Sequence, residues 1–200
     1  MNFFTHIAIS KILYKHFKDK IDLNKSAFMY GNIKPDLSSK LMKKPHILDN
    51  YLTFVCDNTN ELISGEDSID EFSVKLGEVC HYVCDFFCLY HMDMEIFNNL
   101  KGHFLYELKL HFILKRLSQK EKNEIEACNK EVSRDFASII TSMLSDYHSD
   151  TSMFKKDISY AISTSIWVCE SVAYFLNKSS HPVPDDEIDS CSIISLTGGQ

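Results

Sequence analysis

Two stretches, His81-Tyr-Val-Cys-Asp85-Phe-Phe-Cys-Leu-Tyr-His91 and His103-Phe-Leu-Tyr-Glu107, constrain the fold of this chain most. Together they carry three imidazoles and two carboxylates, and they lie within 27 residues of one another. His81/Asp85 and His103/Glu107 are spaced i, i+4, which on a helix puts both side chains on one face, one turn apart. The residues between them are mostly apolar or aromatic, so such helices must be buried. An unpaired buried charge is costly, so these groups need a common partner. Imidazole nitrogen and carboxylate oxygen are the usual ligands of a hydrolytic zinc ion, which would serve as that partner.

The chain of 200 residues is long enough for one compact domain with a sizeable core. It is 44% hydrophobic and 24% charged, as soluble globular proteins are, and its 6 Gly and 4 Pro favour long helices over turn-rich β structure. The net charge of −7 argues against a nucleic-acid duplex as partner, since that requires basic patches. A short phosphodiester drawn to metal charge remains compatible. Met-Asn-Phe-Phe-Thr-His at the start has neither a basic n-region nor a small-residue cleavage site, and no run approaches ~18 apolar residues, so no transmembrane segment is expected. The seven cysteines are odd in number, and Cys80, Cys84 and Cys88 share one helical face, where they cannot readily pair. A reduced, cytoplasmic protein is expected. Thiolate ligation of zinc by these residues is the alternative to a packing role.

Helical periodicity runs through the chain. Ile7, Ile9, Ile12, Leu13 and Phe17 mark a helix over 5–19, and a short apolar segment at 24–33 ends before Lys34-Pro35-Asp36. A polar loop spans Leu37 to Pro45. His46 opens a helix through about Ile63, which Gly65 ends. Ser68-Ile-Asp-Glu71 has the form of a capping box and should start a helix running to about Tyr90. A further helix covers 97–117, and Ser118-Gln-Lys-Glu121 is a second capping box. Two amphipathic stripes follow, Val132 to Tyr147 and Ile158 to Leu176, both read as core faces. The expectation is an all-α bundle of six or seven helices over residues 1–178, with a polar, partly disordered arm over 179–200.

His6, His46, His81, His91 and His103 all fall in the first half of the chain, beside Asp36, Asp85 and Glu107. A single His on an apolar helix is usually a hydrogen-bonded core residue, but eight such groups within about 100 residues point to a metal site. His16 and His111 read as core or boundary residues, with His111 also placed to support the ligand on the turn before it. His148 and His181 read as solvated. Phe3-Phe4, Tyr82 and Phe86-Phe87 read as core, with the wall of a pocket as the alternative.

Thr5-His6, Tyr30-Gly-Asn-Ile-Lys-Pro35-Asp36, Pro45-His46, Leu76-Gly-Glu-Val-Cys-His81-x3-Asp85, His91 and His103-x3-Glu107 together resemble the zinc-dependent phospholipase C family. The single-strand-specific nucleases share its fold and trinuclear zinc site. The resemblance covers roughly residues 5–110. It implies one zinc on Asp36, His46, His81 and Asp85, and a second on His91, His103 and Glu107. A third would sit on His6, a shared oxygen of Asp85 and the amino-terminal residue. It also implies catalytic roles for Asp85, bridging two ions, and for Asp36, orienting or deprotonating the attacking water. The sequence departs from the secreted members in starting at Met1 rather than Trp, in lacking a signal peptide, and in carrying Leu37 where an aromatic would help hold choline. Asn2 disfavours removal of Met1, and a formyl group would block its amine.

The resulting expectation is a zinc-dependent phosphoric ester hydrolase with two or three zinc ions, acting on a phospholipid head group or another small phosphodiester. Nuclease-like or phosphomonoesterase activity on the same site, or a zinc-binding protein without turnover, are the alternatives.

Overall fold

The structure is a computed structural model that describes residues 1–37, 44–92, 94–127, 130–152 and 154–180, with side chains through 178. Residues 38–43 of the loop expected at 37–45, Cys128, Cys191, His181 and the arm beyond 180 lie outside the described residues. The described residues form an all-α fold of ten α-helices, eight of them seven residues or longer. They are α1 (Phe3–Phe17), α2 (Lys25–Gly31), α3 (Lys34–Leu37), α4 (Leu48–Ser64), α5 (Ile69–Phe86), α6 (Met94–Phe97), α7 (Leu100–Arg116), α8 (Gln119–Glu126), α9 (Phe136–Ser149) and α10 (Lys155–Ser180). A 3-10 turn, Leu89–His91, lies between α5 and α6. The two single-turn helices, α3 and α6, flank the site and lack the length to show a periodic stripe in sequence.

Local chemistry sets the helix ends. Ser68 and Ser118 both form complete capping boxes, with Glu71 and Glu121 returning to the cap. Asn24 accepts from Ser26 and Ala27, and Asn99 from Gly102. Gly65 closes α4 in the left-handed region, φ 74°. Asp135 caps α9 by accepting from Ser138, so that helix starts at Phe136 and leaves Val132, at the head of the expected stripe, outside it.

Helix α5 is the axis of the bundle. Every residue from Leu76 to Cys88 is buried, Glu78, His81 and Asp85 included. The helix packs against α1, α2, α3, α4 and α10. Its closest neighbour is α2, and the approach depends on two glycines. A Cβ on Gly31 would come within 2.2 Å of the Val74 carbonyl oxygen, and one on Gly77 within 2.4 Å of the Phe28 carbonyl oxygen. The crossing places the C-cap of α2, Asn32, beside the residue one turn beyond Gly77. There the Asn32 carbonyl accepts from Nδ1 of His81 at 2.8 Å.

The helix expected to run to Tyr90 stops at Phe86. Phe87 leaves helical geometry and Cys88 is extended, φ −99°, ψ 122°. The Leu89 N–H released by the break donates to Asp157 Oδ2 at 3.0 Å, from the first turn of α10. The same carboxylate accepts from the hydroxyls of Tyr106 and Tyr147, both at 2.9 Å. The thiols of Cys56, Cys80, Cys84, Cys88 and Cys169 are free. None of the helices among the described residues is long and apolar enough to cross a membrane.

The glycine crossing generates a prediction. Gly77→Ala should destabilise the protein by about 1–3 kcal/mol, because backbone rather than a pliable side chain blocks the added methyl. Thermal unfolding measures the loss. The same variant should bind divalent metal more weakly, since moving α2 away withdraws the Asn32 carbonyl from His81. An unchanged melting temperature would refute the close approach.

Candidate metal centre

The eight residues singled out in the sequence converge from five elements and the segment before α4. His6 comes from α1, Asp36 from α3, His46 from the residues ahead of α4, His81 and Asp85 from α5, His91 from the 3-10 turn, and His103 and Glu107 from α7. Asp85 is the hub and is fully buried. Its Oδ1 contacts the backbone amine of Met1 and lies 3.2 Å from Nε2 of His6. Its Oδ2 lies 3.0 Å from Nδ1 of His46, 3.2 Å from Nε2 of His81 and 3.6 Å from Nδ1 of His91. Asp36 Oδ1 stands 3.7 Å from Nε2 of His81. A second focus forms where Nε2 of His91 lies 3.0 Å from Nε2 of His103 and 3.2 Å from Glu107 Oε1. Oε1 of Glu107 is also 2.9 Å from Nε2 of His103 and 3.3 Å from the Met1 amine.

The break after Phe86 creates that second focus. On an uninterrupted helix, His91 would follow Asp85 by six residues and project from a different face. The extended Cys88 and the 3-10 turn fold His91 back, and Asp157 holds the turn by its backbone. Asp157 carries no signal of this in sequence beyond being an acid one residue ahead of the apolar stripe that starts at Ile158. The carboxyl of Asp157 is raised by burial, against the hydrogen bonds from Leu89, Tyr147 and Tyr106.

The donor set fits a cluster of cations. A carbonyl can only accept, so the contact to Asn32 puts the His81 proton on Nδ1 and turns the lone pair of Nε2 towards Asp85 and Asp36. Imidazole nitrogens face each other at 3.0 Å in two places, His81/His46 and His91/His103, which brings lone-pair donors together around small volumes. Nδ1 of His6 is buried without a hydrogen-bond partner among the described residues. Three groups bring one ligand atom per residue within 4.8 Å of each other: His6/His81/Asp85, Asp36/His46/His81 and Cys88/His91/Glu107. Each could hold a metal ion. Cys88 joins the third group, the alternative that the sequence left beside a packing role, because the helix break turns it towards Glu107. Its thiol is pushed up by burial, most of all.

Burial and charge oppose each other across the centre. Burial alone would raise Asp85 and Glu107. For Asp85, the charges of His91, the Met1 amine, His81 and His6 outweigh burial and hold the carboxyl well below the usual range. Glu107 is lowered in the same way by the Met1 amine and by hydrogen bonds from His103 and His91. His6 is pushed down to about 4, by burial first and then by His81, whose ring stacks on it at 4.0 Å. Burial also lowers His81, but Asp85 and Asp36 more than compensate and its imidazole is raised. The centre opens into a cleft of about 450 Å³, lined by the rings of Phe3, Phe97 and Phe104 and by Asp36, Lys44 and Pro45. Such a cleft admits a small ester against the cluster. His111 turns away from the centre, into the groove between α1 and α7, with its ring 6.1 Å from Phe4. Tyr82 packs on Tyr51 at 4.2 Å and, like Phe86 and Phe87, belongs to the core.

Two outcomes are expected. In chelator-treated protein, His6 favours the folded state while it is neutral. Its folded value of about 4 lies below the ordinary 6.5, so its contribution is complete above that ordinary value and is lost as pH falls towards about 4. The loss is on the order of 3 kcal/mol. His81, being raised, acts in the opposite sense, and its contribution fades as pH rises. Urea unfolding of His6→Asn between neutral and acid pH should therefore show a shallower pH dependence than wild type, and parallel curves would contradict it. Separately, Asp157→Ala should cost about 2–4 kcal/mol, having stripped one buried and two half-buried donors of their acceptor. It should also weaken metal binding at His91 more than at His81, which isothermal titration of the successive sites would resolve.

The sequence model of the family described as zinc-dependent phospholipase C matches residues 5–153. No curated protein and no solved structure matches the chain. The matched span covers well over half of the sequence and contains every residue of the centre except Met1. With an all-α fold and His, Asp and Glu groups arranged to hold metal, the chain belongs to the zinc-dependent phospholipase C family.

Proposed function

We propose that the protein is a zinc-dependent phosphodiester hydrolase of the phospholipase C type, working in the cleft above Asp85. The observation that carries this reading is Asp85 itself, a fully buried carboxylate with both oxygens shared among four imidazoles and an amine. In this reading Asp36, His46, His81 and Asp85 hold one zinc ion, and His91, His103 and Glu107 hold a second. His6, the second oxygen of Asp85 and the Met1 backbone nitrogen hold a third. Zinc, when bound, supplies a Lewis acid that polarises a phosphoryl oxygen and makes water acidic enough to attack at neutral pH.

The side chains supply the rest. Asp85, with both oxygens turned to imidazoles, would supply negative charge to offset the repulsion between cations held by these residues. The Asn32 and His46 carbonyls fix the tautomers of His81 and His91, so their remaining nitrogens face inward. Asp36 is a quarter exposed and lines the cleft, where it can orient a water and accept its proton. Phe3, Phe97 and Phe104 exclude bulk water from one side of the reacting ester. We assign the catalytic unit to residues 1–178, with 179–200 as an appended polar arm.

The aromatic wall also supports a second reading, a nuclease-like activity, because a base can stack on such rings. Single-stranded nucleic acid tested as substrate and as competitor separates the two.

Protein purified without chelator should contain at least two zinc ions per chain by metal analysis and should hydrolyse an activated soluble phosphodiester, with chelator abolishing the reaction. Asp85→Asn should lose more zinc than any other single ligand change and lower the rate by about a hundredfold or more. His111→Gln should have little effect. Protein that neither takes up zinc nor gains thermal stability from it would overturn the reading, since binding to the folded state must stabilise it.

A further inference from the structure

The outer face of α7 is apolar, cationic and uncovered. By helical period Lys101, Leu105, Leu108, Phe112 and Lys115 share one side of the helix, turned away from His103 and Glu107, with Phe104 on the edge between that side and the cleft. Leu100, Phe104, Leu105 and Phe112 are each more than half exposed, and so is Phe4 across the groove on α1. Contiguous large apolar side chains in water mark an interaction surface.

Charge identifies the kind of partner. The chain carries a net −7, yet α7 has Lys101, Lys109, Lys115 and Arg116 against a single acid, Glu107, which faces the metal centre. Lys109 is engaged over the Phe154 ring at 3.9 Å. Lys101, Lys115 and Arg116 are exposed, as is Lys11, which lines the α1–α7 groove with Phe4 and Lys115. None of these four takes part in an ion pair among the described residues. Lysines, which here interleave with Phe and Leu, are depleted in the cores of protein–protein interfaces. They suit an anionic lipid surface, where the apolar side chains enter the acyl boundary and the ammonium groups stay with the phosphates.

The patch is continuous with the cleft. Leu100 and Phe104 belong to both, so a membrane lying against α7 would meet the cleft at its rim. We propose that α7, with the start of α1, is a docking surface for an anionic lipid bilayer that sets the cleft mouth against the lipid head groups. Its use in presenting substrate rests on the hydrolase reading above, whereas the docking rests on the surface alone.

The test is co-sedimentation of the full chain with vesicles of phosphatidylcholine and phosphatidylglycerol in equal parts, and with vesicles of phosphatidylcholine alone. Binding should be strong to the mixed vesicles, weak to the neutral ones, and reduced by salt. Leu105→Ser/Phe112→Ser should weaken partition at least about tenfold. Lys101→Glu/Lys115→Glu should weaken it about fivefold for each lysine removed. Both variants should keep the wild-type melting temperature and rate on a soluble phosphodiester, because these side chains touch neither core nor cleft. Absence of binding to mixed vesicles overturns the proposal. So does binding that the apolar variant leaves unchanged, which would be unspecific charge attraction. A dimer by light scattering that Leu105→Ser/Phe112→Ser dissociates, without vesicle binding, would assign the face to a second copy instead. Hydrolysis of the soluble ester without vesicle binding removes the docking and leaves the hydrolase. Vesicle binding without hydrolysis of any phosphoester does the reverse.

Discussion

A carboxylate buried at the centre of a helical bundle needs positive charge, and the arrangement of this protein follows from how Asp85 obtains it. Five nitrogens, from His6, His46, His81, His91 and the Met1 amine, surround its two oxygens. The attraction of the His91, His81 and His6 rings and the Met1 amine outweighs the desolvation that would otherwise neutralise the acid. Removing one partner from such a set leaves the others in an environment that penalises them, so the cluster holds together as a unit. Bound cations would relieve the same imbalance from inside, which makes metal binding and stability of this end of the bundle two sides of one interaction.

The structure around Asp85 is built to place donors, and in two places it departs from regular helix packing to do so. Gly31 and Gly77 let the α2 and α5 backbones approach closely enough for a carbonyl of one helix cap to orient an imidazole on the other. The break after Phe86 turns His91 back towards Asp85 and Glu107, and Asp157 with its two tyrosines anchors the break from the far side. Both features are costly alone. Glycine in a helix forfeits stability, and a buried carboxyl requires several donors. Each is offset by what it positions.

Helix α7 connects the centre to the surface. Its inner side carries His103 and Glu107, its edge forms the cleft wall through Leu100 and Phe104, and its outer side presents apolar and cationic residues to solvent. One rigid element thus fixes the relation between these two side chains, the entrance and the proposed membrane face. A substrate held at a lipid surface would arrive at the cleft without leaving it, which suits an ester whose head group is polar and whose tails are not.

Much of this was legible in the residues alone. The i, i+4 pairs, the capping boxes at Ser68 and Ser118, the stop at Gly65 and the order of His, Asp and Glu along the chain depend on local backbone chemistry and on resemblance, and local chemistry is written in sequence. The end of α5 at Phe86 was not legible, because nothing in Phe-Phe-Cys-Leu-Tyr opposes a helix until Asp157, distant in the chain, offers its oxygen to Leu89. For the same reason packing ranked above zinc ligation for Cys88, which the bundle turns towards Glu107, whereas His111 is the half-buried boundary residue expected, set beside Phe4. The face of α7 is the clearest case. Leu100, Phe104, Leu105, Leu108, Leu110, Phe112, Ile113 and Leu114 make that segment apolar nearly all round, and periodicity cannot rank one apolar side above another. Sequence determined that α7 is a helix carrying His103 and Glu107 on one face. Only the packing of α1 and α10 against it decided which leucines would be covered and which would face out, because burial belongs to the neighbours a helix acquires.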